Sequence, residues 1–168
     1  MMIIIVIGLP GTGKTTFSKG LADHLDALHL NTDIIRDQLC LRGQYDRKTK
    51  NLIYKTMQEK AATALKEGQK VVLDGTFYKK RLRKNYIAFA KKLEKPIKWI
   101  ELKATEKAIK ERVQQKRTYS EADYEVYLKV KAAFEPMHQE CLELWNDKDT
   151  PMAVLLENAM AYLEKPAE

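Results

Sequence analysis

The sequence has little of what would make a disulfide scaffold, a metalloprotein or a membrane protein. Its two cysteines, Cys40 and Cys141, lie far apart and match no metal or redox spacing, so both read as free, inert thiols. The three histidines, His24, His29 and His138, share no spacing that suggests a metal site or a base pair, and no role is assigned to them. No repeat, low-complexity tract or linker interrupts the chain. The only apolar N-terminal run, Ile3 to Ile7, is too short to span a bilayer or serve as a secretory signal, so a cytoplasmic enzyme with no membrane partner is expected. At 168 residues the chain has the size of one domain, 1–168, able to bury a sheet covered on both faces. Acidic residues are outnumbered, 23 against 30 Lys and Arg, and the net charge of +7 suits an anionic ligand. Part of that charge is concentrated in Lys79-Lys80-Arg81-Leu82-Arg83-Lys84. A charge run on one helix is more often a solvated face, and no aromatic interleaving of an RNA-binding sheet accompanies it, so nucleic acid is admitted as a partner but not favoured.

What is present is more specific. Gly8-Leu9-Pro10-Gly11-Thr12-Gly13-Lys14-Thr15 directly follows the apolar run and forms a complete G-x-x-x-x-G-K-T pattern between a strand-like and a helix-like segment. The glycines let backbone N–H groups converge on phosphate oxygens, and the helix N-terminus adds partial positive charge. Gly8, Pro10, Gly11, Thr12, Gly13, Lys14, Thr15 and Thr16 are therefore candidate nucleotide-binding residues. Lys14 is suited to the outer phosphates and Thr15 to Mg²⁺. ATP is the expected nucleotide, with GTP not excluded.

Strand-like and helix-like segments alternate along the chain, the pattern of an α/β fold with a parallel sheet. Strands are expected over Met2–Ile7, Ala27–Asn31, Val71–Leu73, Ile97–Leu102 and Glu140–Trp145. The first helix has an apolar stripe at Phe17, Leu21 and Leu25, and the helix over Lys50–Glu67 one at Ile53, Met57, Ala61 and Leu65. The turn Asp74-Gly75-Thr76-Phe77 opens a helix with Leu82, Tyr86, Phe89 and Leu93 inward. Thr105 caps a helix that buries Ile109 and Val113, and Ser120-Glu121-Ala122-Asp123 has the form of a capping box for a helix running to about Phe134. A last helix starts at Asp149-Thr150-Pro151 and turns Val154, Leu155, Ala159 and Leu163 inward. Ligands of such doubly wound sheets bind at the carboxyl ends of the strands, where Asp33, Asp74 and the phosphate loop all fall.

Transfer of a phosphoryl group needs the donor, its metal and the acceptor hydroxyl held in line, with the developing charge neutralised. Asp33 lies just beyond the second strand, and Arg36 follows at helical spacing. A carboxylate there can accept the acceptor's proton, while the guanidinium holds the acceptor or a phosphate oxygen. Asp74, after three apolar residues, has the form of the second Mg²⁺-associated carboxylate. Gly75 follows it where hydrolytic motors commonly carry a water-activating glutamate, which favours transfer over hydrolysis. Arg112 and Arg117 flank a polar break, about 112–122, that reads as a lid supplying charge to the transition state. Thr76 and Arg83 are candidate acceptor contacts, with Arg81 an alternative to Arg83.

Taken together these blocks resemble the small P-loop kinase-like proteins labelled as AAA-type ATP-binding proteins, related to phage polynucleotide kinase and zeta-toxin-like kinases. The resemblance runs from about Ile3 to Met137. Its residues are Gly8 to Thr16, Asn31-Thr32-Asp33 with Arg36, Val71 to Phe77 with Arg83, Arg112 with Arg117, Ser120 to Val126, and Phe134-Glu135-Pro136. It implies a three-layer P-loop kinase fold, with a five-stranded parallel sheet of order 2-3-1-4-5 and a helical lid, that uses ATP and Mg²⁺. It also implies Lys14, Asp33, Arg112 and Arg117 as catalytic residues. Gly75 departs from the alanine more usual in that block. The expected function is phosphotransfer from ATP to a hydroxyl of a small molecule or a nucleic-acid 5′ end. A nucleotide-dependent switch with little transfer is the alternative.

Overall fold

Ile3 to Ile7 form a strand in which every side chain is fully buried, because that strand lies mid-sheet with helices on both faces. The computed structural model describes residues 1–115 and 122–166. Its elements in chain order are β1 (Ile3–Ile7), α1 (Lys14–Leu25), β2 (Ala27–Asn31), α2 (Thr32–Gln38), α3 (Arg47–Lys66) and β3 (Lys70–Asp74). There follow α4 (Lys80–Lys92), β4 (Ile97–Lys103), α5 (Glu106–Val113), α6 (Tyr124–Ala133), β5 (Leu142–Trp145) and α7 (Met152–Leu163). All neighbouring strands pair in parallel, in the order β2-β3-β1-β4-β5. This is the expected order. The chain leaves β1 toward β2, returns to β3 and then crosses to β4 on the other side, so a crevice opens above β1 and β3 where the winding reverses.

One face of the sheet packs Ile5, Ile7, Leu73 and Trp99 against Ile53, Met57, Ala61 and Leu65 of α3 and Tyr86 of α4. The other packs Ile4, Val6, Val72 and Ile100 against Phe17 and Leu21 of α1 and Leu155, Ala159 and Leu163 of α7. Each such side chain removed from water contributes roughly 1.5–3 kcal/mol, which is why the helices seat firmly on the sheet that carries the crevice. A third, small cluster of Ile109, Val113 and Tyr127 with Leu9 and Ala104 holds α5 and α6 over the loop after β1.

Three local expectations change. In α7 the buried positions are Leu155, Leu156, Ala159, Tyr162 and Leu163, so Val154 falls just off that stripe and is exposed. In α4 the buried face is Arg83, Tyr86 and Ala90, with Leu82, Phe89 and Leu93 only half-buried at its margins. The cap of α6 is Asp123, whose Oδ1 accepts from Val126 N, three residues later than the capping box expected at Ser120. Ser120, Glu121 and Arg117 lie outside the described residues, as does most of the 112–122 lid segment. Among the described residues no helix is long and apolar enough to cross a membrane.

Candidate active site

The loop from Gly8 to Gly13 is held in shape by groups on its own carbonyls. Thr12 Oγ1 and Lys14 Nζ both donate to Leu9 O, each at 2.9 Å, and Asn146 Nδ2, beyond the end of β5, donates to Thr12 O at 2.9 Å. Gly13 has φ 89, a left-handed conformation that costs a residue with a Cβ about 1–2 kcal/mol. Such a Cβ would also run into the Asn146 amide. Pro10, Gly11 and Thr12 are buried, whereas Thr15 and Thr16 are exposed on the first turn of α1. From α5, Arg112 donates to Gly11 O at 3.3 Å and to Asn146 O at 2.7 Å, which ties α5 to the loop.

The register of the sheet sets Asn31 at the end of β2 beside Asp74 at the end of β3, with Val6 of β1 on the other side. Asn31 Nδ2 donates to Asp74 Oδ2 at 2.6 Å and to Thr15 Oγ1 at 3.2 Å, while its Oδ1 caps α2 by accepting from Asp33 N and Ile34 N. His29 Nε2 lies 3.4 Å from the same Asp74 Oδ2. Asp74 is fully buried, and its Oδ1 is the one buried carboxylate oxygen without a hydrogen-bond partner among the described residues. A threonine hydroxyl and an unshared carboxylate oxygen are the hard oxygen donors that Mg²⁺ prefers, and this ion keeps most of its waters and binds phosphates, so it needs few protein ligands. The residues fit that ion. Accordingly, no group of three His, Cys, Asp or Glu among the described residues could hold a metal ion.

Asp33 and Arg36 share one face of α2, as their spacing predicts, with Arg36 Nη1 donating to Asp33 Oδ1 at 2.7 Å. Asp33 keeps 31 % of its side chain exposed, while the Arg36 side chain is 9 % exposed. Partial burial pushes the Asp33 carboxyl above the ordinary aspartate value, against the downward pull of the Arg36 and Lys14 cations. Its carboxylate is a stronger base for that reason. Tyr45 covers the guanidinium of Arg36, whose carbon lies 4.5 Å from the ring centroid. On α3, Tyr54 is close enough to Asp33 and Arg36 to feel both charges, and its hydroxyl bonds Thr76 and accepts from Phe77 N. Burial pushes that phenol up to about 12, so it stays protonated. Phe77 takes a left-handed φ of 45 and packs edge-on against Tyr54, Tyr86 and Trp99. That packing fixes the turn carrying Thr76.

Arg83 is the sequence-predicted site residue that the fold redirects. Its side chain is fully buried, Nη1 donates to Phe77 O at 2.9 Å, and Nη2 donates to Glu135 O and Pro136 O, each at 2.8 Å. It does not line the crevice but ties the Thr76–Phe77 turn to the segment after α6. Arg81 is exposed on the outer side of α4. Lys14, Thr15, Asn31, Asp33, Arg36 and Asp74 are brought together at the crevice, and Arg112 stands on the far side of the loop. Asn31, Asn146 and His29 carry contacts that sequence reasoning did not assign. A usable signal existed for the asparagines, since each follows an apolar strand residue at a strand end, as Asp74 does.

Residues 3–137 match the sequence model of a family described as an AAA domain. An uncharacterized protein of Mycobacterium tuberculosis, Rv2004c, is 31 % identical over 93 residues, covering 48 % of this chain, and this chain spans about a fifth (19 %) of that relative's length. A sugar kinase from Janibacter sp. superposes with a TM-score of 0.74 at 18 % identity over 98 % of this chain and 95 % of that one. The Mycobacterium tuberculosis APS kinase CysC, solved with AMPPNP and APS, superposes with a TM-score of 0.73 at 14 % identity over 98 % of both chains. At these identities the superpositions establish the fold. The family match covers most of the chain, which therefore belongs to the AAA-domain family and has the P-loop kinase fold within it.

Proposed function

We propose that the protein is a kinase that transfers the γ-phosphoryl group of ATP to a hydroxyl of an acceptor bound beside Asp33. The observation that carries this reading is Asp33 itself. It is a partly exposed carboxylate, raised in basicity, oriented by Arg36 and standing within electrostatic reach of Lys14 at the carboxyl ends of the strands. A switch or a motor has no use for such a base. The kinase fold shared with the sugar kinase and APS kinase structures supports the same reading.

In this mechanism the backbone N–H groups of residues 11–16 cradle the phosphates, and Lys14 leaves its Leu9 contact to neutralise the outer ones. Thr15 and Asp74 would hold Mg²⁺, which would supply positive charge to the phosphate oxygens. Arg36 and Thr76 orient the acceptor. Its hydroxyl oxygen forms the new bond to the γ-phosphorus as the bond to the bridging oxygen of ADP breaks, and its proton passes to the Asp33 carboxylate. Arg112, next to Gly11, adds charge on the donor side, with Arg117 assigned the same task. The reading is tested with Asp33→Asn in an acceptor screen scored by acceptor-dependent ADP release. Turnover should fall by roughly 10²–10⁴-fold while ATP affinity, measured by calorimetry, stays within twofold. Unchanged turnover would remove Asp33 as the base.

A further inference from the structure

The two carboxylate oxygens of Asp74 have unequal surroundings. The residue is fully buried, yet both donors that reach it go to Oδ2, Asn31 Nδ2 at 2.6 Å and His29 Nε2 at 3.4 Å. Oδ1 has no hydrogen-bond partner among the described residues. Burial alone would favour a donor on each oxygen, because an unsatisfied buried acceptor costs about 1–3 kcal/mol. Two donors on one oxygen instead keep the carboxylate from turning and leave Oδ1 presented in one direction. The sheet register produces this arrangement. His29 pairs with Val72 and Asn31 with Asp74, so both β2 side chains stand on the face of the sheet that carries Asp74. Val72 shares its core cluster with Phe17 and Leu21, which makes this the face covered by α1, the helix whose first turn carries Thr15. β2 is an edge strand, and His29 keeps 15 % of its side chain exposed against 1 % for Asp74, so the ring stands on the solvent side of the carboxylate. A carboxylate oxygen only accepts, and the ring therefore presents Nε2 to it as a donor.

We infer that His29 is a positioning residue for the carboxylate on the metal side: together with Asn31 it locks Asp74 through Oδ2 and so reserves Oδ1 for Mg²⁺. The inference rests on the role toward that ion proposed for Asp74 and extends it to a residue that acts through Asp74. Asn31 makes the shorter contact, but it also caps α2 and bonds Thr15, so its loss changes several things at once. His29 reaches Asp74 and no other polar side chain among the described residues, which makes it the cleaner probe of the lock.

The test uses the full chain and the nucleotide analogue AMPPNP, titrated by calorimetry once with Mg²⁺ and once with a chelator in its place. The ratio of the two affinities is the gain due to the ion, read without turnover and without an acceptor. His29→Leu should reduce that gain by roughly tenfold, the low end for a residue that orients a metal-holding side chain. Its affinity without Mg²⁺ should stay within about twofold, which also certifies the fold. His29→Asn, whose amide is too short to reach Asp74, should behave like His29→Leu, whereas His29→Gln can place a donor where Nε2 stands and should restore most of the gain. Asp74→Asn serves as the reference and should lose it. An unchanged gain in His29→Leu and His29→Asn, a parallel fall of both affinities, or His29→Gln no better than His29→Leu overturns the positioning role. A full gain in Asp74→Asn overturns the Mg²⁺ role of Asp74 and the inference with it. Phosphoryl transfer is judged separately by acceptor-dependent ADP release, so failure of the kinase reading is told apart from failure of the lock.

Discussion

The two walls of the crevice are built in opposite ways. One wall is a contiguous loop whose form follows from left-handed Gly11 and Gly13 and from hydrogen bonds to its own carbonyls, with outside support from Asn146 and Arg112. The wall that the proposed function gives to the acceptor draws Asp33 and Arg36 from α2, Tyr54 from α3 and Thr76 from the turn before α4. No two of those segments are adjacent enough in sequence to position each other. They meet because α2 packs on α3 and an aromatic cluster of Tyr54, Phe77 and Tyr86 joins α3 to the turn. On the proposed function the loop takes phosphates whatever the acceptor, and specificity comes from the wall that depends on long-range packing.

This contrast can be broken from either side. The largest effect is expected for Gly13→Ala, which forces a left-handed alanine against Asn146. It should cost roughly 2–5 kcal/mol in denaturant unfolding and abolish nucleotide binding. Retained nucleotide affinity would mean that the loop is less constrained than its geometry implies. Next, Arg83→Met removes three hydrogen bonds to backbone carbonyls and should cost about 2–4 kcal/mol. Its functional effect should be confined to the acceptor side, raising acceptor KM while ATP affinity stays within twofold. If ATP affinity falls in parallel, the walls are not independent.

Asn31→Ala strikes a residue that bridges both walls. Loss of the α2 cap and of the hydrogen bond to Asp74 should lower stability by about 1–3 kcal/mol. It should also weaken Mg²⁺-dependent nucleotide binding, measured by calorimetry with and without the ion. The smallest effect is in pH. Because burial raises the Asp33 carboxyl, and the base must be ionised, kcat should fall with decreasing pH through an inflection above that of an ordinary aspartate. Arg36→Met removes a cation that lowers this value and should move the inflection upward. An inflection at or below the ordinary range would assign the acid limb to another group.

Part of this was legible in the sequence because the signals are local. The phosphate loop, the Asp33–Arg36 spacing and the strand-end position of Asp74 each lie within a few residues. Arg83 was not legible, since it sits in a run of exposed cations and its burial comes from carbonyls of Glu135 and Pro136, more than fifty residues away. His29 looked isolated for the same reason, because Asp74 becomes its neighbour only when β2 pairs with β3. Val154 shows a smaller limit. Four-residue spacing finds the stripe of a helix but not which edge of it the sheet will cover.

By itself the sequence determined the order of strands and helices, the phosphate loop and the helical spacing that pairs Asp33 with Arg36, because these depend on periodicity and short-range sterics. Only the tertiary structure decided that Asn31 joins Thr15 to Asp74, that Arg83 is buried against the carbonyls of Phe77, Glu135 and Pro136, and that Lys50 comes to stand beside Tyr78. Those outcomes depend on which strands pair and which helix faces are covered, and the free energy that selects them is spread over the whole core rather than written in any one segment.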